Sequence, residues 1–318
     1  MTRFGKRRGM RARICSCWAL LLALVALAPA PARADIQHPQ RLVLGRITDN
    51  PRSDYVRLKS LLDRVVPKLG AARITEGAVL LARDAQQMAG YLRRGRVDWV
   101  TETPAMAAEL QDRSGALPFL RSLREDRNVY RSLIFVRRDS GIDSVRALLG
   151  KRVALQTRAS TSAFYLPLMT LVGAGLPLAE LATPDDLPRS DEVGFLLARS
   201  ELNIATWVHK GLADAGAVSN LDWDNPERMP TGFRTDFRVI AESDSVPRAI
   251  ELVRADLPDG VADALRGVLV AIDDDPLAAT ALRAYFATAR FEPLDPASQQ
   301  SLAAMNRQLL ALRRELDR

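Results

Sequence analysis

Residues Leu155 to Pro167 read LQTRASTSAFYLP. Three consecutive hydroxyl side chains, Ser160, Thr161 and Ser162, stand between the apolar run RVAL (Arg152 to Leu155) and an aromatic, helix-like segment. The run reads as a short strand, and the segment after the hydroxyls as a helix lasting to about Gly173. A single hydroxyl suffices to cap a helix, because it accepts a bond from the free N–H groups of the first turn. Three in a row put several hydroxyls and several unpaired donors at one spot, where the helix dipole adds about half a positive charge. From these residues alone two readings stay open: an ordinary cap, or a cradle for an anion or polar ligand.

Outward from this junction the chain alternates short β-like runs with amphipathic segments. RLVLGR (Arg41 to Arg46), ARIT (Ala72 to Thr75), DWVTE (Asp98 to Glu102), RSLIFVRR (Arg131 to Arg138), VGFLLA (Val193 to Ala198), ADAGAV (Ala213 to Val218), FRVIAES (Phe237 to Ser243) and IELVRAD (Ile250 to Asp256) read as strands. Between them, Asp54 to Leu69, Ala85 to Arg93, a segment begun by Pro104, and Ile204 to Lys210 have helical periodicity. That rhythm predicts an α/β architecture. Leu302, Met305, Leu309, Leu312 and Leu316 recur at spacings of three and four, a seam too short for a coiled coil and suited to a helix packed on its own chain or to a partner contact.

The first 34 residues have a basic start, an apolar run from Trp18 to Ala28 and the small-residue exit Ala32-Arg33-Ala34. This is the pattern of a secretory signal peptide cleaved before Asp35, its apolar run shorter than the roughly 20 residues of a spanning helix. Seven of the 45 basic residues and none of the 38 acidic ones lie in this segment, so 38 of each remain. The basic pI therefore belongs to the signal, and nucleic acid is not an expected partner. Both cysteines, Cys15 and Cys17, leave with it, which excludes disulfides, a thiolate nucleophile and a Cys-ligated metal from the mature chain. A periplasmic, monomeric protein is expected.

The run YRSLIFVRRDSGIDSVRALLGKRVALQTRASTSAFYLP (Tyr130 to Pro167), followed by WVHKGLADAGAVSN (Trp207 to Asn220), resembles the periplasmic phosphate/phosphite/phosphonate-binding proteins of ABC transporters. The resemblance rests on Tyr130, Asp139-Ser140-Gly141-Ile142, Leu149-Gly150-Lys151, Ser160-Thr161-Ser162, then Val208, Gly211 and Asp214-Ala215-Gly216-Ala217, in that order. It implies a type II periplasmic binding protein, two α/β lobes joined by two crossing strands with an interlobe cleft. Lobe one would comprise residues 35–128 plus 241–318, and lobe two residues 129–240. Cleft closure on a ligand would be a hinge motion.

The resemblance also implies site residues. Ser160, Thr161 and Ser162 would donate to an oxyanion, Tyr130 would donate its phenol from the hinge side, and Asp214 matches an aspartate near the ligand. Asp98, Trp99 and Val100 match the strand lining the cleft from lobe one. Thr101-Glu102-Thr103 depart from the family pattern, which would bring Glu102 and Thr103 toward the cleft, the alternative being a solvent-facing Glu102. Glu201 and Asn203 stand near the place where phosphonate binders carry a histidine.

A carboxylate beside a dianion costs several kcal/mol unless a cation intervenes. Glu102 or Glu201 would therefore suit a zwitterion such as an aminoalkylphosphonate, with the remaining contacts made by neutral donors of little net charge. Arg158, just before the cluster, is a further candidate contact. The expected partners are a small-molecule anion or zwitterion and a permease in the inner membrane. A sensory or accessory role beside a membrane partner is the alternative.

A serine hydrolase would need a base near Ser160 to Ser162, and the chain has only His38 and His209. No G-x-S-x-G elbow, H-E-x-x-H, P-loop or G-x-G-x-x-G occurs. Asp185-Asp186 and Asp273-Asp274-Asp275 read as solvated turns. No enzymatic activity, cofactor or metal is expected.

Overall fold

The computed structural model describes residues 40–124 and 128–316; the expected signal segment and the first residues after it lie outside these. The chain begins with β1 (Gln40–Ile47), α1 (Pro51–Val65), β2 (Ile74–Ala82), α2 (Ala85–Arg93), β3 (Trp99–Glu102), α3 (Pro104–Ser114) and β4 (Leu117–Arg124). A two-residue strand, β5 (Val129–Tyr130), leads into β6 (Ser132–Arg137) and β7 (Arg152–Leu155). A wide helical turn, Thr161–Tyr165, continues as α4 (Leu166–Gly173), followed by β8 (Leu178–Glu180), β9 (Val193–Leu197), α5 (Glu201–His209) and β10 (Ala215–Ser219). Two short helices, α6 (Asn220–Trp223) and α7 (Thr231–Arg234), precede β11 (Phe237–Glu242). The chain then runs through β12 (Val246–Pro247), β13 (Ala249–Val253), α8 (Asp259–Val270), α9 (Ala279–Ala284), β14 (Thr288–Glu292) and α10 (Pro296–Leu316).

These strands form two six-stranded sheets, ordered β14-β4-β13-β3-β1-β2 and β11-β6-β10-β7-β9-β8. In each, parallel β–α–β units make one half and antiparallel strands the other: β1 runs parallel to β2 and β3, and β7 to β9 and β10, whereas β13 and β6 oppose their neighbours. The chain leaves the first sheet through β5 and returns through β12, and these two crossing strands pair antiparallel, Val246 opposite Tyr130.

Burial explains why these segments fold as they do. On one face of the first sheet, Leu58, Leu61 and Leu62 of α1 pack with Leu265 and Leu269 of α8 against Leu42, Leu44 and Trp99. Each such side chain contributes roughly 1.5–3 kcal/mol when removed from water. In the second sheet, Gly216 lets α5 approach β10: a Cβ there would meet Ile204 at 2.6 Å and Phe135 at 2.8 Å. The α10 seam lies inside the chain, with Leu302, Met305, Leu309 and Leu312 buried against α3 and α4.

Two differences from the sequence reading have physical causes. β2 begins at Ile74 because Arg73 takes a left-handed conformation at the end of a 3-10 turn, and it runs on to Ala82 by pairing along all of β1. β4 carries Pro118 and has Arg121 and Ser122 between its apolar residues, so it lacks a strand pattern. Its proline sits beside a register shift opposite β13, where a missing N–H is tolerated.

Candidate functional site

The hydroxyl cluster lies at the C-terminal end of β7, beyond Gln156 to Ala159. Ser160 is extended and its side chain accepts from the Ala163 N–H at 3.1 Å, so the capping reading holds for this residue. The turn after it is wide: Tyr165 N–H bonds to Ser160 O, five residues back, and Ala163 departs from helical angles. Such π-type turns are rare and cluster at functional sites.

Thr161 is used differently. Its Oγ1 accepts from the Ala105 N–H, at the start of α3, at 2.9 Å. Thr103 Oγ1 in turn donates to Ala159 O at 3.3 Å. The starts of α3 and of the wide turn therefore face each other between the two sheets.

Beside this contact lies a cavity of about 370 Å³. Thr103, Tyr130, Ser160, Thr161 and Ser162 line it together, with Gln156, Thr157 and Ser219 adding polar groups. It is not the nearly neutral site that the hydroxyls alone suggested. Five arginines line it, Arg46, Arg57, Arg124, Arg228 and Arg248, against three aspartates, Asp49, Asp54 and Asp222.

Several of these charges compensate one another. Arg46 Nε lies 3.2 Å from Asp54 and Arg57 lies 3.6 Å from it, while Arg228 pairs with Asp222. Arg124 has no such partner: among the described residues no carboxylate pairs with it, and its buried Nε has no hydrogen bond. Burial first, and then the positive charges of Arg46 and Arg248, push its pKa down to about 10. The Phe286 ring has Arg46 at 4.1 Å, Arg124 at 5.3 Å and Arg57 at 5.4 Å, each in the range of a cation–π contact. Phe286 and Ala287 both have φ near +55°, a strained turn between α9 and β14 that carries this ring.

Tyr130 is buried, and burial raises its pKa, so the phenol is a neutral hydrogen-bonding group near pH 7. Arg248 lies over its ring at 5.2 Å.

The other predicted residues lie elsewhere. Glu102, only 2% exposed, sits under the cleft and accepts from the Ile47 N–H at 2.6 Å; burial pushes its pKa up to about 7 against the opposing pull of Arg46. Glu201 accepts from Gln156 Nε2 at 2.8 Å and lies 3.4 Å from Arg228, outside the cavity lining. Neither carboxylate is presented to a guest in the cavity, so the reasoning that called for an amine loses its basis.

Asn203 lies in the first turn of α5, donating to Ala198 O. Asp214 ties the start of β7, accepting from the Arg152 backbone N–H at 2.8 Å. Arg158 pairs with Glu180 and faces a different cavity. Asp98 bonds Val43 N–H and Arg254, and Trp99 and Val100 are core residues. His209 stacks on Phe233 and does not line the cleft with the serines.

The arginines are what sequence reasoning missed. Arg46 ends β1, Arg124 ends β4 and Arg248 follows β12, so they converge only through the sheet order. No local motif marks them in a chain with 45 basic residues.

Among solved structures, the chain is similar to XAC2383 from Xanthomonas citri bound to chloride ion, at 44% identity over 87% of this chain and 99% of that one, with a TM-score of 0.81. The same protein bound to ATP matches at 43% identity over 86% and 98%, with a TM-score of 0.82. PhnD1 from Prochlorococcus marinus in complex with methylphosphonate shares the fold at 16% identity, over 86% and 100%, with a TM-score of 0.61. The two lobes and their crossing strands are those of a type II periplasmic binding protein. The family profile described as "ABC transporter, phosphonate, periplasmic substrate-binding protein" matches residues 48–299. This chain therefore belongs to the periplasmic substrate-binding proteins of ABC phosphonate transporters.

Proposed function

We propose that the protein captures a phosphorus oxyanion, the phosphoryl group of a phosphate, phosphite or phosphonate, in the cleft between its lobes and presents it to a permease. The observation that carries this reading is the convergence of Arg46, Arg124 and Arg248 on one cavity, where Arg46 and Arg248 repel the Arg124 cation and, among the described residues, no carboxylate pairs with Arg124. A tetrahedral dianion would relieve that repulsion and accept charge-assisted bonds, each roughly twice as strong as a neutral one.

Opposite the arginines, the N–H groups at the starts of α3 and of the wide turn, with the Ser160 to Ser162 hydroxyls and Tyr130, supply neutral donors. With arginines outnumbering aspartates in the lining, a ligand needs no amine. The X. citri relative has been solved with chloride and with ATP, both anions.

A thermal-shift panel of phosphate, phosphite, alkyl- and aminoalkylphosphonates, sulfonates and amino acids tests the reading. A ligand at 100 times its dissociation constant stabilises by about 2.7 kcal/mol, a shift of a few degrees. A response to phosphorus oxyanions irrespective of an amine is expected. A flat response across all of them, or one confined to sulfonates or amino acids, would overturn it.

A further inference from the structure

A second cavity, of about 640 Å³, lies on the other side of the interlobe contact. Residues of the first lobe (Met106, Leu309, Leu312) and of the second (Phe164, Tyr165, Leu178) line it. Ile47 and Ala159 line both this cavity and the arginine-bearing one. What stands between the two is the contact already described, Thr103 Oγ1 to Ala159 O at 3.3 Å and Ala105 N–H to Thr161 Oγ1 at 2.9 Å. The two cavities are chambers of one crevice, divided by a pair of hydrogen bonds.

Their chemistry differs in a way that assigns them different parts of one guest. The larger chamber has apolar walls: the partly exposed Ala85, Leu178 and Leu316 line it over the buried Phe164, Leu309 and Leu312. Its four arginines are already matched with carboxylates, Arg83 with Asp84 at 3.3 Å, Arg113 with Glu109 at 2.5 Å, Arg313 with Glu109 at 2.5 Å and with Asp112, and Arg158 with Glu180. It has no electrostatic demand for a further anion. The smaller chamber has Arg124, with which no carboxylate pairs among the described residues, and a lining richer in polar side chains.

An oxyanion at the divide would take over the Ala105 N–H, which donates to Thr161 Oγ1, and the Thr161 hydroxyl, which also bonds Tyr130. Its charge would then face the arginines, and any organic substituent would leave on the opposite side. The volume of the larger chamber falls in the range of roughly 300–1,000 Å³ that holds drug-sized groups, far beyond the needs of a methyl group.

Building on the reading above, we infer that the ligand is an organophosphorus compound with a sizeable apolar or aromatic substituent, the phosphoryl group bound in the arginine chamber and the substituent in the larger one. Calorimetric titration with methylphosphonate and phenylphosphonate tests this on the mature wild-type chain and on Ala85→Phe and Leu178→Trp. Both of these partly buried positions line only the larger chamber, and their unliganded melting temperatures check folding. The wild type is expected to bind phenylphosphonate at least tenfold more tightly than methylphosphonate. Each filling variant should reduce that ratio toward one by weakening phenylphosphonate alone.

Equal affinities in the wild type overturn the two-chamber assignment while leaving oxyanion capture standing. A phenyl advantage that survives both filling variants overturns it as well, placing the ring elsewhere. Binding of neither probe, nor of phosphate, removes the capture reading and this inference with it.

Discussion

At the scale of single residues, the proposed function and stability pull in opposite directions at Arg124. The fold disfavours its cation, lowering the pKa from 12.5 to about 10 through burial and through Arg46 and Arg248. A lowered pKa on a base means that the charged form destabilises the folded state at every pH below about 10. At about 1.4 kcal/mol per unit, discounted for partial exposure, Arg124→Gln should stabilise the empty protein at pH 7 by about 1–2 kcal/mol, read as a higher urea midpoint.

Glu102 gives the complementary pH effect. Its pKa is raised from 4.5 to about 7, so the neutral form suits the fold. Its stabilising effect is complete below pH 4.5 and is lost as pH rises through 7, a change of about 3 kcal/mol for a shift of this size. Glu102→Gln keeps an acceptor for the Ile47 N–H and should flatten that decline. A wild type and a variant with parallel pH–stability curves from pH 4.5 to 8 would show that Glu102 does not titrate there.

Elements decide how much of the site could be read in advance. The Ser160 to Ser162 junction was legible because capping and the helix-start field are local consequences of residue type and order. The partner of Thr161 was not, since Ala105 N–H comes from a different lobe. Likewise Glu201 and Asn203 carry plausible binding chemistry, but α5 turns them toward Gln156 and Ala198 O. Strands with apolar runs, such as VGFLLA and RSLIFVRR, announced themselves, whereas β4, broken by Pro118 and Arg121, and the polar β14 are held by their neighbours in the sheet.

The glycine in ADAGAV is an element-scale determinant of a different kind, because β10 and α5 can close only without a Cβ there. Gly216→Ala would force Ile204 or the backbone to shift. A loss of about 1–3 kcal/mol in chemical denaturation is expected, as for other overpacked cores. Unchanged stability would mean that the second lobe is looser than its packing implies.

For the whole molecule, the proposed capture at the arginines of the crevice would be an electrostatic event coupled to closure. The starts of α3 and of the wide turn belong to different lobes, so a guest bonded to both favours the closed state by its differential contacts. Replacing gluconate by chloride at constant ionic strength should weaken oxyanion binding if chloride competes for the same guanidinium groups. Raising ionic strength with gluconate should weaken it less, since screening acts poorly on partly buried charge. Identical effects of the two salts would argue for screening alone.

Calorimetric titration of methylphosphonate into the mature wild type and Arg124→Gln, in chloride-free buffer, addresses the arginine cluster most directly. Saturable one-to-one binding is predicted for the wild type, weakened tenfold or more in the variant, in line with about 1.5–3 kcal/mol for a bond to a charged group. Equal affinity in both proteins, or no binding by a folded wild type, would contradict the account.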